Sequence, residues 1–253
     1  MKLTCANKLK ISLNLLVIFS FLLISGCSIS ADQIPSKPLK VIVFAGHTGT
    51  DGNRGVKSRS GIFEIEYNDL LSKKLVSLQD KNIEYIFIAA SEKVSLEERP
   101  GLAAKKYKAD LILEIHHDSA QPGDIDECLK SNDKKSPDCD EMSGFSVFFS
   151  SESKESTVSK DMALKIGKSL RNAGFKPNLY HAKKITGESR KVISEPDAVY
   201  DVPFYILKNS DIPAILIEAG VITNPFDEKD IKNPSYHSRF AKAVHEVLRN
   251  IKL

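Results

Sequence analysis

Leu39-Lys40-Val41-Ile42-Val43-Phe44-Ala45-Gly46-His47 is the stretch on which the fold turns. Val41 to Phe44 are all apolar, with no polar residue alternating between them. Such a run describes a strand covered on both faces rather than one with a wet side. Similar runs return downstream in Tyr85-Ile86-Phe87-Ile88-Ala89, in residues 110–115, in Phe145-Ser146-Val147-Phe148-Phe149 and in Ala214-Ile215-Leu216-Ile217. Helical patterns lie between them. Leu70, Leu71, Leu75 and Leu78 are spaced for one face of a helix over 66–78. Ser95 and Glu98 make a capping box that opens a helix to about residue 107. Val158, Met162, Ile166 and Leu170 mark another helix, and Gly174 stands where it would stop. Tyr236, Phe240, Val244, Leu248 and Ile251 mark the last. Strands alternating with helices predict one α/β domain, with a central, mostly parallel sheet and helices on both faces.

Residues 119–143 break this rhythm. They are rich in Asp, Lys, Ser and Pro and read as a surface loop. Cys128 and Cys139 lie in it, eleven positions apart. They are either a disulfide, which an exported compartment permits, or two free thiols; the disulfide is the favoured reading. With no histidine near them they make a poor zinc site.

The first 26 residues are unlike the rest. Lys2, Lys8 and Lys10 precede an apolar run over 11–24. Crossing a bilayer takes roughly 20 apolar residues, so this run is short for a permanent span and reads as a secretory leader. Ile24-Ser25-Gly26-Cys27 resembles a bacterial lipobox, in which Cys27 is lipidated and becomes the new N-terminus. The alternative is a plain leader that happens to contain a cysteine. Ser28 follows, where an Asp would favour inner-membrane retention, so the resemblance points to the outer membrane. On this reading 1–26 is the leader, 27–37 a lipidated tether and 38–253 the folded domain, on the periplasmic side of the cell envelope. Three of the 36 basic residues lie in the leader, which has no acid; the other 33 match the 33 acidic residues. A formally neutral body gives no sign of the basic face that a nucleic-acid partner needs.

Ligands of open α/β sheets bind beyond the C-terminal ends of the strands. His47, His116 and Glu218 stand at three such ends, and Glu64 follows the loop over 48–61. Two His and one Glu can hold zinc as a tripod and leave a position for water. A fourth carboxylate that does not bind the metal can carry a proton. Glu218, at the edge of an apolar strand, suits that role, and burial there would raise its pKa. The chain has no His-Glu-x-x-His and no Gly-x-Ser-x-Gly, so a thermolysin-like site and a serine nucleophile elbow are both disfavoured.

Four ordered blocks sharpen this. They are Val43-Phe44-Ala45-Gly46-His47-Thr48-Gly49, Gly61-Ile62-Phe63-Glu64-Ile65-Glu66-Tyr67-Asn68, residues 109–119 around Ile115-His116-His117-Asp118, and residues 212–225 around Pro213-Ala214-Ile215-Leu216-Ile217-Glu218-Ala219-Gly220. Together they resemble the zinc-dependent N-acetylmuramoyl-L-alanine amidase family, which has a phosphorylase/hydrolase-like α/β fold. The resemblance runs from about residue 40 to the C-terminus. It implies one zinc ion on His47, Glu64 and His116, Glu218 as the catalytic carboxylate, and peptidoglycan as substrate. Its register prefers Glu64 to the rival Glu66, and His116 to His117. Candidate substrate contacts are His117, Asp118, His181, Asn224, and Glu188 with Arg190 in a Gly-Glu-Ser-Arg loop. Arg190 has Glu188 and Asp197 as alternative partners. Arg99, His237 and His245 read as structural. Thr48 and Glu114 depart from the family pattern, which often has Gly at the first position and a small residue at the second. Whether an activating protein is needed is left open.

Overall fold

The computed structural model describes residues 37–50, 52–184 and 190–251. Cys27, the leader, most of the tether and Glu188 lie outside the described residues. The strands are β1 (Leu39–Ala45), β2 (Ile83–Ile88), β3 (Leu111–Asp118), β4 (Ser146–Phe149), β5 (Lys191–Ser194), β6 (Val199–Asp201) and β7 (Ala214–Val221). The helices are α1 (Glu64–Val76), α2 (Arg99–Gly101), α3 (Pro122–Ser131), α4 (Pro137–Asp140), α5 (Ser156–Asn172), α6 (Tyr205–Lys208), α7 (Pro225–Ile231) and α8 (Pro234–Arg249).

The strands form one sheet in the order β2-β1-β3-β7-β4-β6-β5. The pairs β1/β2, β1/β3, β3/β7 and β4/β6 are parallel; β4/β7 and β5/β6 are antiparallel. Val41, Ile42, Val43 and Phe44 are fully buried, as a strand covered on both faces requires. Burying each such side chain contributes about 1.5–3 kcal/mol. Helices α1, α8 and α5 cover one face of the sheet. The short α2 and α6 lie on the other, where Arg99 and Ile206 share a cavity with Glu114 and His116 of β3. Because β1 has β2 on one side and β3 on the other, the winding reverses between β1 and β3. Such a reversal opens a crevice at the strands' carboxyl ends.

Several elements differ from the sequence expectation. Helix α1 begins at Glu64 and buries Tyr67, Asn68, Leu71, Ser72 and Leu75, whereas Leu70 is 55% exposed. The stripe is therefore not purely leucine: polar Asn68 and Ser72 complete it. The capping box at Ser95 forms, with Ser95 N–H donating to Glu98 Oε2 (2.9 Å) and Glu98 N–H to Ser95 Oγ (3.4 Å). Its helix is only α2, which widens into a π turn over Leu102–Lys106. The stretch 119–143 is not a plain surface loop. It holds α3 and α4, joined by the Cys128–Cys139 disulfide, and Ile125, both cysteines and Met142 build a small second core with Tyr180 and Val221. Charged residues on the outer side of α3 hid that inner stripe.

Candidate metal centre and active site

Four segments bring the site together. Strand β1 ends at Ala45, and Gly46 N–H donates to Ile115 O (2.8 Å), locking the crossing to β3. Only glycine fits at 46, because a Cβ there would lie 2.4 Å from His116 Nε2. His47 follows in the left-handed region (φ 68°), which a non-glycine residue rarely adopts. His116 and Glu218 are direct partners in the β3/β7 register.

Glu64 lies between the two histidines. Its Oε2 is 2.7 Å from His47 Nε2, and its Oε1 is 3.0 Å from His116 Nδ1. The candidate ligand atoms of the three residues all lie within 4.8 Å of one another. Glu66 is exposed and faces Arg54 at 3.4 Å, so helix phase separates the two rivals.

The surroundings suit a cation. Burial works against ionisation of Glu64, but its hydrogen bonds to His116 and His47 more than offset this and hold its carboxyl far below the usual range. Burial also opposes charge on His116, yet Glu114, Glu64 and Glu218 together push its pKa well above the ordinary value. Carboxylates this close to the two histidine rings supply negative charge that a cation bound there would meet. His47 Nε2 is buried and faces Glu64 Oε2 at 2.7 Å. Its other nitrogen, Nδ1, meets Asn53 Oδ1 at 3.0 Å. A hydrogen-bond partner on the outer nitrogen is what orients a metal-binding histidine. The residues present therefore fit a zinc ion.

Glu218 stands beside this cluster with Oε2 buried and without a hydrogen-bond partner among the described residues. Burial raises its pKa well above the ordinary value; Asp118 and Glu64 add to this and His116 opposes it. It shares a cavity of about 300 Å³ with His47, His116, Leu96, Phe204 and Tyr205. One wall is thus apolar and the other carries the polar cluster.

The remaining candidates are dispersed. His117 points to the opposite face of β3, where its Nδ1 donates to Asn68 Oδ1 (2.8 Å). Asn68 Nδ2 in turn donates to Glu64 Oε1 (3.3 Å). Burial lowers the His117 pKa to about 3, so this ring is neutral. It supports Glu64 from behind. Asp118 is buried and accepts from Asn178 (3.1 Å), with His181 Nε2 at 2.7 Å. Both Asp118 and His181 flank Glu218 electrostatically. Arg190 lies over the Phe204 ring at 5.7 Å. It is not the partner of Asp197, which Arg171 takes at 2.8 Å. Asn224 is 1% exposed: it caps α7 and donates to the carbonyls of Cys139 and Met142, both at 2.9 Å. Its polar atoms are committed to the fold, which corrects the expectation of a substrate contact. His245 is structural, with Nδ1 2.9 Å from Tyr85 Oη.

Arg99 has a structural place at the start of α2, as the sequence suggests, and it also reaches the site. It lines the cavity, pairs with Glu114 and donates from Nη2 to the carbonyl of His47 (2.5 Å). The one available sign was Glu114 itself, a charge inside an apolar strand that had to find a partner.

Fold and site together define a class: an α/β domain with a His/Glu/His cluster and a buried carboxylate at a strand-end crevice. Comparison with known proteins narrows this. Residues 41–250 match the family model described as N-acetylmuramoyl-L-alanine amidase. The chain belongs to that Amidase_3 family. It is similar to the probable N-acetylmuramoyl-L-alanine amidase AmiB of Haemophilus influenzae, at 26% identity over 91% of this chain and 55% of that protein. It is also similar to the probable cell wall amidase LytH of Staphylococcus epidermidis, at 24% identity over 89% of this chain and 64% of the relative. The chain therefore spans little more than half to two thirds of these relatives' length. Among solved structures, the amidase Ami1 of Mycobacterium smegmatis superposes with a TM-score of 0.63 at 17% identity, over 83% of this chain and 94% of that one. At that identity the likeness speaks for the fold alone.

Proposed function

We propose that the chain hydrolyses the amide between the lactyl group of N-acetylmuramic acid and the L-alanine of a peptidoglycan stem peptide. The convergence of His47, Glu64, His116 and Glu218 on one crevice, in a chain of the amidase family, carries this reading. His47, Glu64 and His116 would hold zinc. A zinc ion there supplies Lewis acidity, lowering the pKa of water and polarising the scissile carbonyl. Glu218 has a raised proton affinity, so it can take a proton from the attacking water and return it to the leaving amine. Asp118 and His181 flank that carboxylate. The apolar wall of Leu96, Phe204 and Tyr205 offers flat surface to a sugar ring.

Purified protein mixed with peptidoglycan tests the mechanism. Wild type should release free stem peptides, a chelator should stop it, and Glu218→Ala should lose about 10²–10⁴-fold, the usual contribution of a general acid–base. Equal release by Glu218→Ala would sink the assignment of Glu218. Products cut within the stem peptide would instead support a zinc peptidase.

The relatives named for cell wall amidases support a place in the cell envelope. Lipid anchoring through Cys27, to the outer membrane, rests on Ile24-Ser25-Gly26-Cys27 and Ser28. Labelled fatty acid should be incorporated by wild type and not by Cys27→Ala; equal labelling would remove the anchor.

A further inference from the structure

We infer that the buried Arg99–Glu114 ion pair supports both histidines of the metal centre and sets how tightly that centre holds its ion. The inference rests on the zinc reading above. The two residues are 3% and 2% exposed. Burying an ion pair costs desolvation that apolar residues of the same size avoid, so stability alone is a weak reason for one here. Its two ends lead to the two histidine ligands. Arg99 Nη2 donates to the carbonyl of His47 (2.5 Å), the residue whose backbone is left-handed. A non-glycine residue keeps that conformation only where its surroundings over-determine it. Arg99 is the clamp that does so, and it is tied down by Nε donating to Val94 O (3.4 Å).

The other end acts on His116. The Nδ1 of that ring faces Glu64, so Nε2 is its outer nitrogen, and Glu114 Oε1 stands 3.9 Å from it. Arg99 Nη1 holds the same carboxylate oxygen in place. A carboxylate behind a metal-binding imidazole strengthens it as a ligand; at 3.9 Å, longer than a hydrogen bond, Glu114 acts on this ring through its charge. One side chain pair thus reaches residues 69 positions apart, His47 through its backbone and His116 through its ring.

Zinc affinity of the full-length protein, measured by competition with a chromophoric chelator, tests this. Arg99→Met combined with Glu114→Met replaces the pair with apolar side chains, a change that buried ion pairs often tolerate without loss of the fold. The double variant should melt within a few degrees of wild type and bind zinc about 10–100-fold more weakly, the usual cost of losing a side chain that supports a metal ligand. Cobalt(II) bound in place of zinc should show altered absorption bands, which a purely structural role would not produce. Should the double variant fail to fold, Glu114→Gln keeps the shape, and a several-fold weaker zinc affinity is expected for it. Unchanged zinc affinity in the folded double variant, or failing that in Glu114→Gln, overturns the inference. A wild type that takes up no zinc overturns the metal reading and this inference with it.

Discussion

A methyl group on Gly55 would lie 2.4 Å from Glu64 Oε2 and 2.6 Å from His47 Nε2, so the backbone of residue 55 is pressed against two of the three candidate ligands. Gly61 is a natural control. Its φ of 82° resembles the 71° of Gly55, yet among the described residues nothing lies within 4 Å of its missing Cβ. Alanine in the left-handed region costs roughly 1–2 kcal/mol at either site. Only Gly55→Ala should also displace the ligands. It should lose zinc and activity while melting near Gly61→Ala, as read by metal analysis and thermal unfolding; full zinc occupancy in Gly55→Ala would contradict this. The same scale explains what the sequence could not settle about Glu64 and Glu66. They are two positions apart, which on a helix turns them to different sides. Which side meets the histidines depends on how α1 docks, a fact no local pattern contains.

Among the elements, α7 holds the loop that precedes α1. Glu228 on α7 accepts from Ser60 N–H (3.2 Å), from Ser60 Oγ and from Tyr67 Oη (2.9 Å), with Lys232 at 3.3 Å. Burial raises its pKa, but the hydroxyls of Ser60, Ser58 and Tyr67 outweigh this and bring it from 4.5 to about 2. A carboxyl whose folded pKa is depressed contributes stability that is complete above its unfolded value and is lost as pH falls through the folded one. The window here runs from 4.5 down to about 2. Glu228→Gln should be about 1–3 kcal/mol less stable at neutral pH, with the difference shrinking across that window. Denaturant unfolding at a series of pH values measures it, and a pH-independent difference would rule the linkage out. Elements were legible where packing is two-sided. β1, β3 and β7 are long apolar runs because both faces are covered. β5 and β6 are short, and β5 is largely exposed, so their composition resembles that of a loop.

In the whole molecule, the sheet order makes the site. Placing β3 between β1 and β7, all parallel, gathers the ends that carry His47, His116 and Glu218 on one rim. The disulfide-linked α3 and α4 attach beside that rim through Asn224, which bonds the carbonyls of Cys139 and Met142. Closing a loop of this length is worth about 3 kcal/mol in the chain-entropy picture. Reduction, or Cys128→Ser with Cys139→Ser, should lower the unfolding free energy by about that amount and open 129–141 to protease; unchanged stability would show the link to be dispensable. The sequence by itself determined the fold class, the principal strands and the His/Glu/His-plus-Glu composition, because hydrophobic periodicity and strand-end placement are local properties. Only the tertiary structure decided that Glu64 rather than Glu66 meets the histidines, that Asn224 belongs to the scaffold, and that Arg99 and Glu114 stand behind the centre. Those outcomes depend on contacts between residues tens of positions apart, which form only when the sheet is assembled.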